Sequence, residues 1–302
     1  MIKKFLGRKF RSYLQIDSMI TDIANISIQN RIDMLNCLAL NCKESGTTNE
    51  KYSDKEIIVS LTTYGKRLNQ VYLTIESLMQ QSLKPNKIIL WLDYGCQDKQ
   101  LPQLLKKQMS RGLEIKFCND ICSYKKLIPS LKLYPNDVII TADDDLFYNV
   151  NMIENLVLPY LQNPNYIYFN RGHKIKFLKD EIAPYNKWEW NINSIEESPL
   201  NFPTSGGGAL FPPNSFNQEV LNESVFMDIC PLADDIWFKA MSLYNGTQCK
   251  KVITFSANGE EYLENKFIQD NMSLNLQNVV QNKNDIQLKA VFDKYNLMSK
   301  IR

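Results

Sequence analysis

Hydrophobic positions fall along this chain in short blocks that alternate between two periods. Ile57-Ile58-Val59-Ser60-Leu61 is a β-branched run without polar alternation, which predicts a parallel strand covered on both faces. From Val71 to Gln81 the spacing becomes helical, with Val71, Ile75, Leu78 and Met79 on one side. Lys84-Pro85-Asn86 makes a turn, and Ile88-Ile89-Leu90-Trp91-Leu92 reads as a second strand. Pro102 to Arg111 reads as a helix closed by Gly112, and Glu114 to Cys118 as a third strand. Tyr124 to Tyr134 has helical spacing complicated by Pro129, and Val138-Ile139-Ile140-Thr141-Ala142 is a fourth strand. Four such alternations predict an α/β fold, an open parallel sheet with helices on both faces.

Ligands of such sheets bind beyond the carboxyl ends of the strands. The polar groups there are Thr62-Thr63-Tyr64, Asp93, Asn119-Asp120 and Asp143-Asp144-Asp145. The second half is less regular. Tyr166 to Phe169 reads as a strand, a loop-rich stretch carries Trp188 and Trp190, and Asp285 to Tyr295 is a helical stretch in a polar tail. Before the sheet, Ile16, Ile20 and Ile23 share one helical face that Ile28, Ile32 and Leu35 nearly continue, and Gly46-Thr47-Thr48-Asn49 reads as a linker. The expected organisation is a helical basic extension over residues 1–50, a catalytic domain over 51–260 and a polar, helical tail over 261–302.

With 302 residues, 44% of them hydrophobic, the chain can bury a sizeable core. A net charge of +2 is too small to make nucleic acid the main partner. Seven cysteines at irregular spacings, with no C-x-x-C, fit a reducing compartment better than a disulfide framework or a zinc site. No 18-residue apolar run occurs, and the basic start lacks the apolar region of a signal peptide, so a cytoplasmic location is expected. Lys3, Lys4, Arg8, Lys9 and Arg11 interleave with Phe5, Leu6, Phe10 and Tyr13. Residues 1–13 can therefore rest on the anionic inner face of the cell membrane, or form a solvated basic helix or a packing arm.

Adjacent Asp143, Asp144 and Asp145 repel each other and are desolvated if partly buried. A divalent cation with phosphate oxygens removes that penalty, and Mg²⁺ or Mn²⁺ typically uses one or two carboxylates plus substrate phosphates. Asp234 and Asp235 open a second, helix-like run, Ile236 to Met241. Acids there either cap the helix or serve as a general base toward a hydroxyl. Gly206, Gly207 and Gly208 follow Ser205 without the spacing of a P-loop, and read as a flexible loop or a wall against which a sugar packs. His173 is the only histidine; beside Arg171 and Lys174, it suits a structural role or contact with phosphate or acceptor. Lys66, Arg67, Lys125 and Lys126 are available to a diphosphate. No G-x-S-x-G nucleophile elbow is present, which disfavours a serine hydrolase.

The ordered set Val59 to Tyr64, Trp91-Leu92-Asp93, the acidic run, Ser205 to Gly208 and Ala233-Asp234-Asp235 resembles bacterial glycosyltransferases of the GT-A fold. These are close to the family 2 type of capsule and lipopolysaccharide loci, and the resemblance covers roughly residues 55 to 255. It implies a Rossmann-like, mostly parallel sheet flanked by helices, here with a helical N-terminal extension. The implied activity is hexosyl or N-acetylhexosaminyl transfer, with inversion, from a nucleoside diphosphate sugar, usually of uridine, to a glycan or lipid-linked acceptor. By this resemblance Thr62, Tyr64 and Asp93 hold the nucleoside, with Arg67, Lys126, Asp143 and Asp144 also on the donor. Asp145 and Asp143 take Mn²⁺ or Mg²⁺, and Asp235 or else Asp234 is the base; apart from the resemblance, Gly206, Gly207, Gly208 and His173 are expected at the acceptor from their residue types and setting. One departure is that many GT-A enzymes add a late histidine to the metal shell, and none follows His173. Two other classes share parts of this pattern. A sugar nucleotidyltransferase would carry a Gly-rich, basic phosphate loop after the first strand, which Thr62 to Arg67 matches poorly; the other class is a non-catalytic sugar-binding module.

Overall fold

A computed structural model describes residues 2–255, 261–265 and 283–302, with side chains in the first helix described from Met19 onward. That helix, α1, spans Ile2–Asn41. The basic side chains between Lys3 and Arg11, expected at a membrane surface, lie outside the described residues. Among the described residues no helix is long and apolar enough to cross a membrane.

β1 (Ile57–Thr62), β2 (Lys87–Asp93), β3 (Leu113–Cys118) and β4 (Val138–Thr141) pair in parallel in the order β3-β2-β1-β4. The connecting helices are α2 (Val71–Met79), α3 (Gln103–Met109) and α4 (Ile128–Leu133). Successive residues of a strand point to opposite faces. Ile57, Val59 and Leu61 accordingly join one core with Ile75 and Leu78 of α2, while Ile58 joins a second core with Ile128 of α4. Unbroken apolar runs are what a strand needs when both faces are covered. Pro129 falls in the first turn of α4, where its missing N–H would have had no partner in any case. A 3-10 turn, Cys122–Lys126, precedes it, so the complication in the pattern marks a helix start.

Beyond β4 the chain forms β5 (Leu146–Tyr148), α5 (Met152–Gln162), β6 (Ile167–Phe169) and β7 (Gly172–Lys174). A small hairpin, β8 (Phe177–Leu178) with β9 (Glu181–Ile182), follows, then β10 (Asn201–Pro203) and β11 (Ala209–Phe211). The last elements are α6 (Glu223–Ile229), α7 (Asp234–Asn245), β12 (Cys249–Lys251), β13 (Tyr262–Glu264), α8 (Lys283–Lys294) and α9 (Met298–Ile301). The main sheet has seven strands in the order β12-β6-β11-β4-β1-β2-β3. It is the mostly parallel, helix-flanked α/β sheet expected, with one insertion: β11 lies antiparallel between β4 and β6, Ala209 opposite both Thr141 and Phe169. Three residues are too few to show a period, so this central strand reads as loop in the sequence.

Two peripheral segments differ from their patterns. Ile28 and Leu35 of α1 are buried against Leu73 and Phe147, and Arg31 donates to the Tyr148 carbonyl (2.9 Å). Ile20 and Ile23, expected to continue that face, are exposed, so docking begins near Ile28. In the polar tail, Leu288, Val291 and Phe292 of α8 are buried in the same core as Trp237 of α7.

Candidate active site

The acidic run leaves β4 at the carboxyl edge of the parallel strands, and its side chains diverge. Asp144 turns inward. Thr63 Oγ1 donates to one carboxylate oxygen (2.6 Å), Arg67 Nη1 to the other (2.7 Å), and Thr74 Oγ1 to its carbonyl (2.9 Å). Burial raises this carboxyl above its ordinary range, with Arg67 and Thr63 opposing the rise. Asp144, expected on the donor, ties the loop after β1 to the acidic run. Asp145 stays partly exposed, with Arg67 Nη1 3.2 Å from its Oδ2. Burial, and then the charges of Asp143 and Asp144, push its carboxyl up to about 7. Asp143 is the most open of the three; its Oδ1 accepts from Lys126 Nζ at 2.7 Å.

The glycine turn closes over Asp143. Tyr148 Oη accepts the Asp143 N–H (2.8 Å) and donates to the Gly206 carbonyl (2.6 Å). A Cβ on Gly206 would lie 1.9 Å from Asp143 Oδ2, so this approach requires glycine. Gly207 would meet Arg171 Cβ at 2.8 Å, and Gly208 takes a φ of +92. All three glycines are buried; Gly206 and Gly207 belong to a 3-10 turn, Ser205–Gly207, and Gly208 links it to β11.

Asp234 and Asp235 are the first two residues of α7, but neither caps it; Ala233 holds the cap position. The Asp235 carboxylate instead accepts from Ser205, from its N–H (3.0 Å) and its hydroxyl. Burial, and then Asp234, push the Asp235 carboxyl up to about 6. Asp234 Oδ2 lies 3.2 Å from Lys126 Nζ, so one buried ammonium spans Asp143 and Asp234. Burial alone would lower this lysine's pKa, but Asp143, Asp234 and Asp235 outweigh it and hold the ammonium well above its ordinary range. The structure thus brings the two acid sets together on one lysine. Arg67 and Lys126, expected to face a diphosphate, are each engaged by two carboxylates.

Thr62 and Asp93 end β1 and β2 side by side. Thr62 Oγ1 donates to the Trp91 carbonyl (2.9 Å), and Asp93 Oδ2 lies 3.5 Å from Cys96 Sγ. Tyr64 is exposed, with the Arg67 guanidinium 5.2 Å above its ring. His173, expected at the acceptor, is buried; its Nδ1 accepts the Asn191 N–H (3.2 Å), and its ring packs on Trp190, with centroids 4.5 Å apart. Burial, and then Arg171, hold its imidazole down at about 3, so it is neutral at physiological pH.

Among the described residues no three His, Cys, Asp and Glu side chains converge into a closed metal cage. Mg²⁺ and Mn²⁺ do not need one when substrate phosphates complete the shell. Asp145 and Asp143, with surplus negative charge around them, fit such an open site. Thr63, Thr74, Tyr148 and Ser205 hold the acids in place; the sequence named Thr63 and Ser205 only within their motifs and did not single out Thr74 or Tyr148. The only signal for the first two is proximity, Thr63 in the first turn and Ser205 just before the glycines.

No protein-family model and no curated protein matches the chain. Among solved structures it is similar to S. aureus TarS 1–349, with a TM-score of 0.43 and 13% identity over 68% of this chain and 59% of that one. It therefore spans less than two thirds of that TarS chain. It is also similar to the inositol-1-phosphate CTP transferase from T. maritima, with a TM-score of 0.40 and 12% identity over 82% of this chain and 97% of that one. The chemistry of the sheet edge rests on its own side chains.

Proposed function

We propose that this chain is a metal-dependent, inverting glycosyltransferase. It would move a sugar from a nucleoside diphosphate sugar, of uridine by the resemblance of its motifs, to a hydroxyl of a glycan or lipid-linked acceptor in surface polysaccharide synthesis. The observation that carries this reading is the setting of Asp235. It is a partly buried carboxylate gripped by Ser205, raised to about 6, and next in the chain to Asp234, whose carboxylate shares Lys126 with Asp143 of the acidic run. A carboxylate so tuned suits a general base near neutral pH.

In the proposed reaction Asp235 takes the proton of the acceptor hydroxyl as its oxygen attacks the anomeric carbon. The new C–O bond forms on the face opposite the donor phosphate. The C–O bond to that phosphate breaks, and the nucleoside diphosphate leaves with the electron pair. Attack from the opposite face inverts the anomeric centre, and the proton on Asp235 passes to water. Thr62, Tyr64 and Asp93 line the nucleoside end of the sheet edge. Asp145 and Asp143 would hold Mn²⁺ or Mg²⁺, which when bound supplies charge stabilisation for the departing diphosphate, worth several kcal/mol, roughly.

The test is incubation with UDP-glucose or UDP-N-acetylglucosamine, Mn²⁺ and saccharide acceptors, reading UDP release and transferred sugar by chromatography. Asp145→Asn and EDTA should each weaken UDP binding and abolish transfer while the far-UV spectrum stays unchanged. Pyrophosphate release from UTP or CTP with a sugar phosphate would overturn the assignment in favour of nucleotidyl transfer. Saccharide binding with neither reaction would leave a binding module.

A further inference from the structure

The segment after β7 returns alongside it. Lys174 and Glu189 exchange backbone hydrogen bonds (2.8 and 3.1 Å), and the Ile192 N–H reaches the Gly172 carbonyl (3.0 Å). On its other edge β7 pairs with β10, Phe202 opposite His173. Three adjacent segments therefore each contribute a ring, Phe202, His173 and Trp190. The His173 ring lies nearly parallel to Phe202 (6.5 Å, 4°) and 4.5 Å from Trp190. Tyr185 stands edge-on to Trp190 at 5.5 Å and to Phe202 at 6.0 Å, and its backbone N–H is anchored by Asp285 of α8 (2.7 Å).

This row has an inner and an outer end. Phe202 and His173 are each 1% exposed, and Trp190 is 41% exposed. The inner end adjoins the base, because Ser205, three residues after Phe202, holds Asp235. Asp235 is also near enough to Tyr185 to help burial push that phenol up. β7 follows β6 and β10 leads into β11, and β6 and β11 lie on the side of β4 away from β2 and Asp93. An indole fixed from behind by packed rings presents a flat apolar face with little left to order on binding. The C–H face of a pyranose complements such a surface.

We infer that Trp190, backed by His173 and flanked by Tyr185, is a stacking platform for a pyranose ring of the saccharide acceptor, one that leads its hydroxyl toward Asp235. The name acceptor rests on the proposed glycosyl transfer; the platform itself rests on the ring geometry. The probes are cellobiose, maltose and chitobiose, titrated calorimetrically against the full chain and its Trp190→Ala and Trp190→Phe variants, with UDP plus Mn²⁺ titrated in parallel. Trp190→Ala should weaken the best-bound disaccharide by about tenfold, and Trp190→Phe, which restores a ring, should stay within about threefold of the parent. UDP affinity and the far-UV spectrum should be unchanged in both, because Trp188 and Phe202 keep the buried packing. Unchanged disaccharide affinity in Trp190→Ala, loss of UDP affinity instead, or no disaccharide binding by the parent chain would each overturn the platform. Trp190-dependent disaccharide binding by a chain that neither binds nor turns over UDP-sugars would keep the platform and remove glycosyl transfer. Normal transfer by Trp190→Ala at unchanged acceptor KM would do the reverse.

Discussion

Glu76 is fully buried and the aspartates beyond β4 are buried in part, and the chain treats these acids oppositely. Glu76 accepts two bonds from Arg111 (2.8 and 3.0 Å), one from Gln108 (3.0 Å) and one from Gln80 (2.7 Å). One acid meets one base in a bidentate fork, and both oxygens are used. At the sheet edge Asp143, Asp144, Asp145, Asp234 and Asp235 meet, among the described residues, only Arg67 and Lys126 in ion pairs. Burial and mutual repulsion leave Asp145 and Asp235 at raised pKa values of about 7 and about 6. A closed pair serves the fold. A surplus of one sign is unfavourable in the free protein and would be relieved by the cation proposed there.

The sharpest way to break this contrast is at Asp235. Asp235→Asn keeps the volume and can still accept from Ser205, but it removes the basic carboxylate. Turnover should fall by about 10²–10⁴-fold, with UDP-sugar affinity nearly unchanged in direct titration. Normal turnover would move the role to Asp234, and normal turnover in both single Asn variants would end the base assignment.

The closed pair should respond in stability. Arg111→Ala leaves Glu76 buried without its cation and should lower unfolding free energy by about 3–5 kcal/mol in urea titrations. Its folded fraction should bind UDP as the parent does. A loss of UDP binding larger than the loss of folded protein would show that the two clusters are coupled.

A smaller, graded effect should come from pH. As a base, Asp235 works only when ionised, so kcat should hold above its folded pKa of about 6 and fall below it. The fall approaches tenfold per pH unit on the acid limb. Asp235→Asn should flatten that limb in its residual rate, and a limb that persists would belong to another group.

Much of the parallel half was legible because consecutive apolar residues have one physical meaning when a strand is covered on both sides. Ile57 to Leu61, Ile88 to Leu92 and Val138 to Ala142 are such runs. What escaped was short or remote. β11 has three residues, and its place beside β4 is decided by partners far along the chain. Residue types pointed to both acid sets, but nothing local says that Asp144 turns inward to Thr63 while its neighbours stay near the edge. Lys126 reads as one basic residue among many until folding sets it between Asp143 and Asp234. Ile20 and Ile23 have the period of a packed face, yet periodicity does not tell where the packing partner begins.

The strand that the pattern missed has a mechanical consequence. β11 is bonded to β4 with Ala209 opposite Thr141, two residues before Asp143, and the Ser205 that grips Asp235 lies four residues upstream of Ala209. The gap between the two carboxylate groups is therefore ruled off in units of a sheet. It has no fine adjustment: a one-residue slip moves the strand by about 3.3 Å and turns every side chain to the other face. The working distance is digital, chosen once when β11 takes its register and held afterwards by the same hydrogen bonds that hold the sheet.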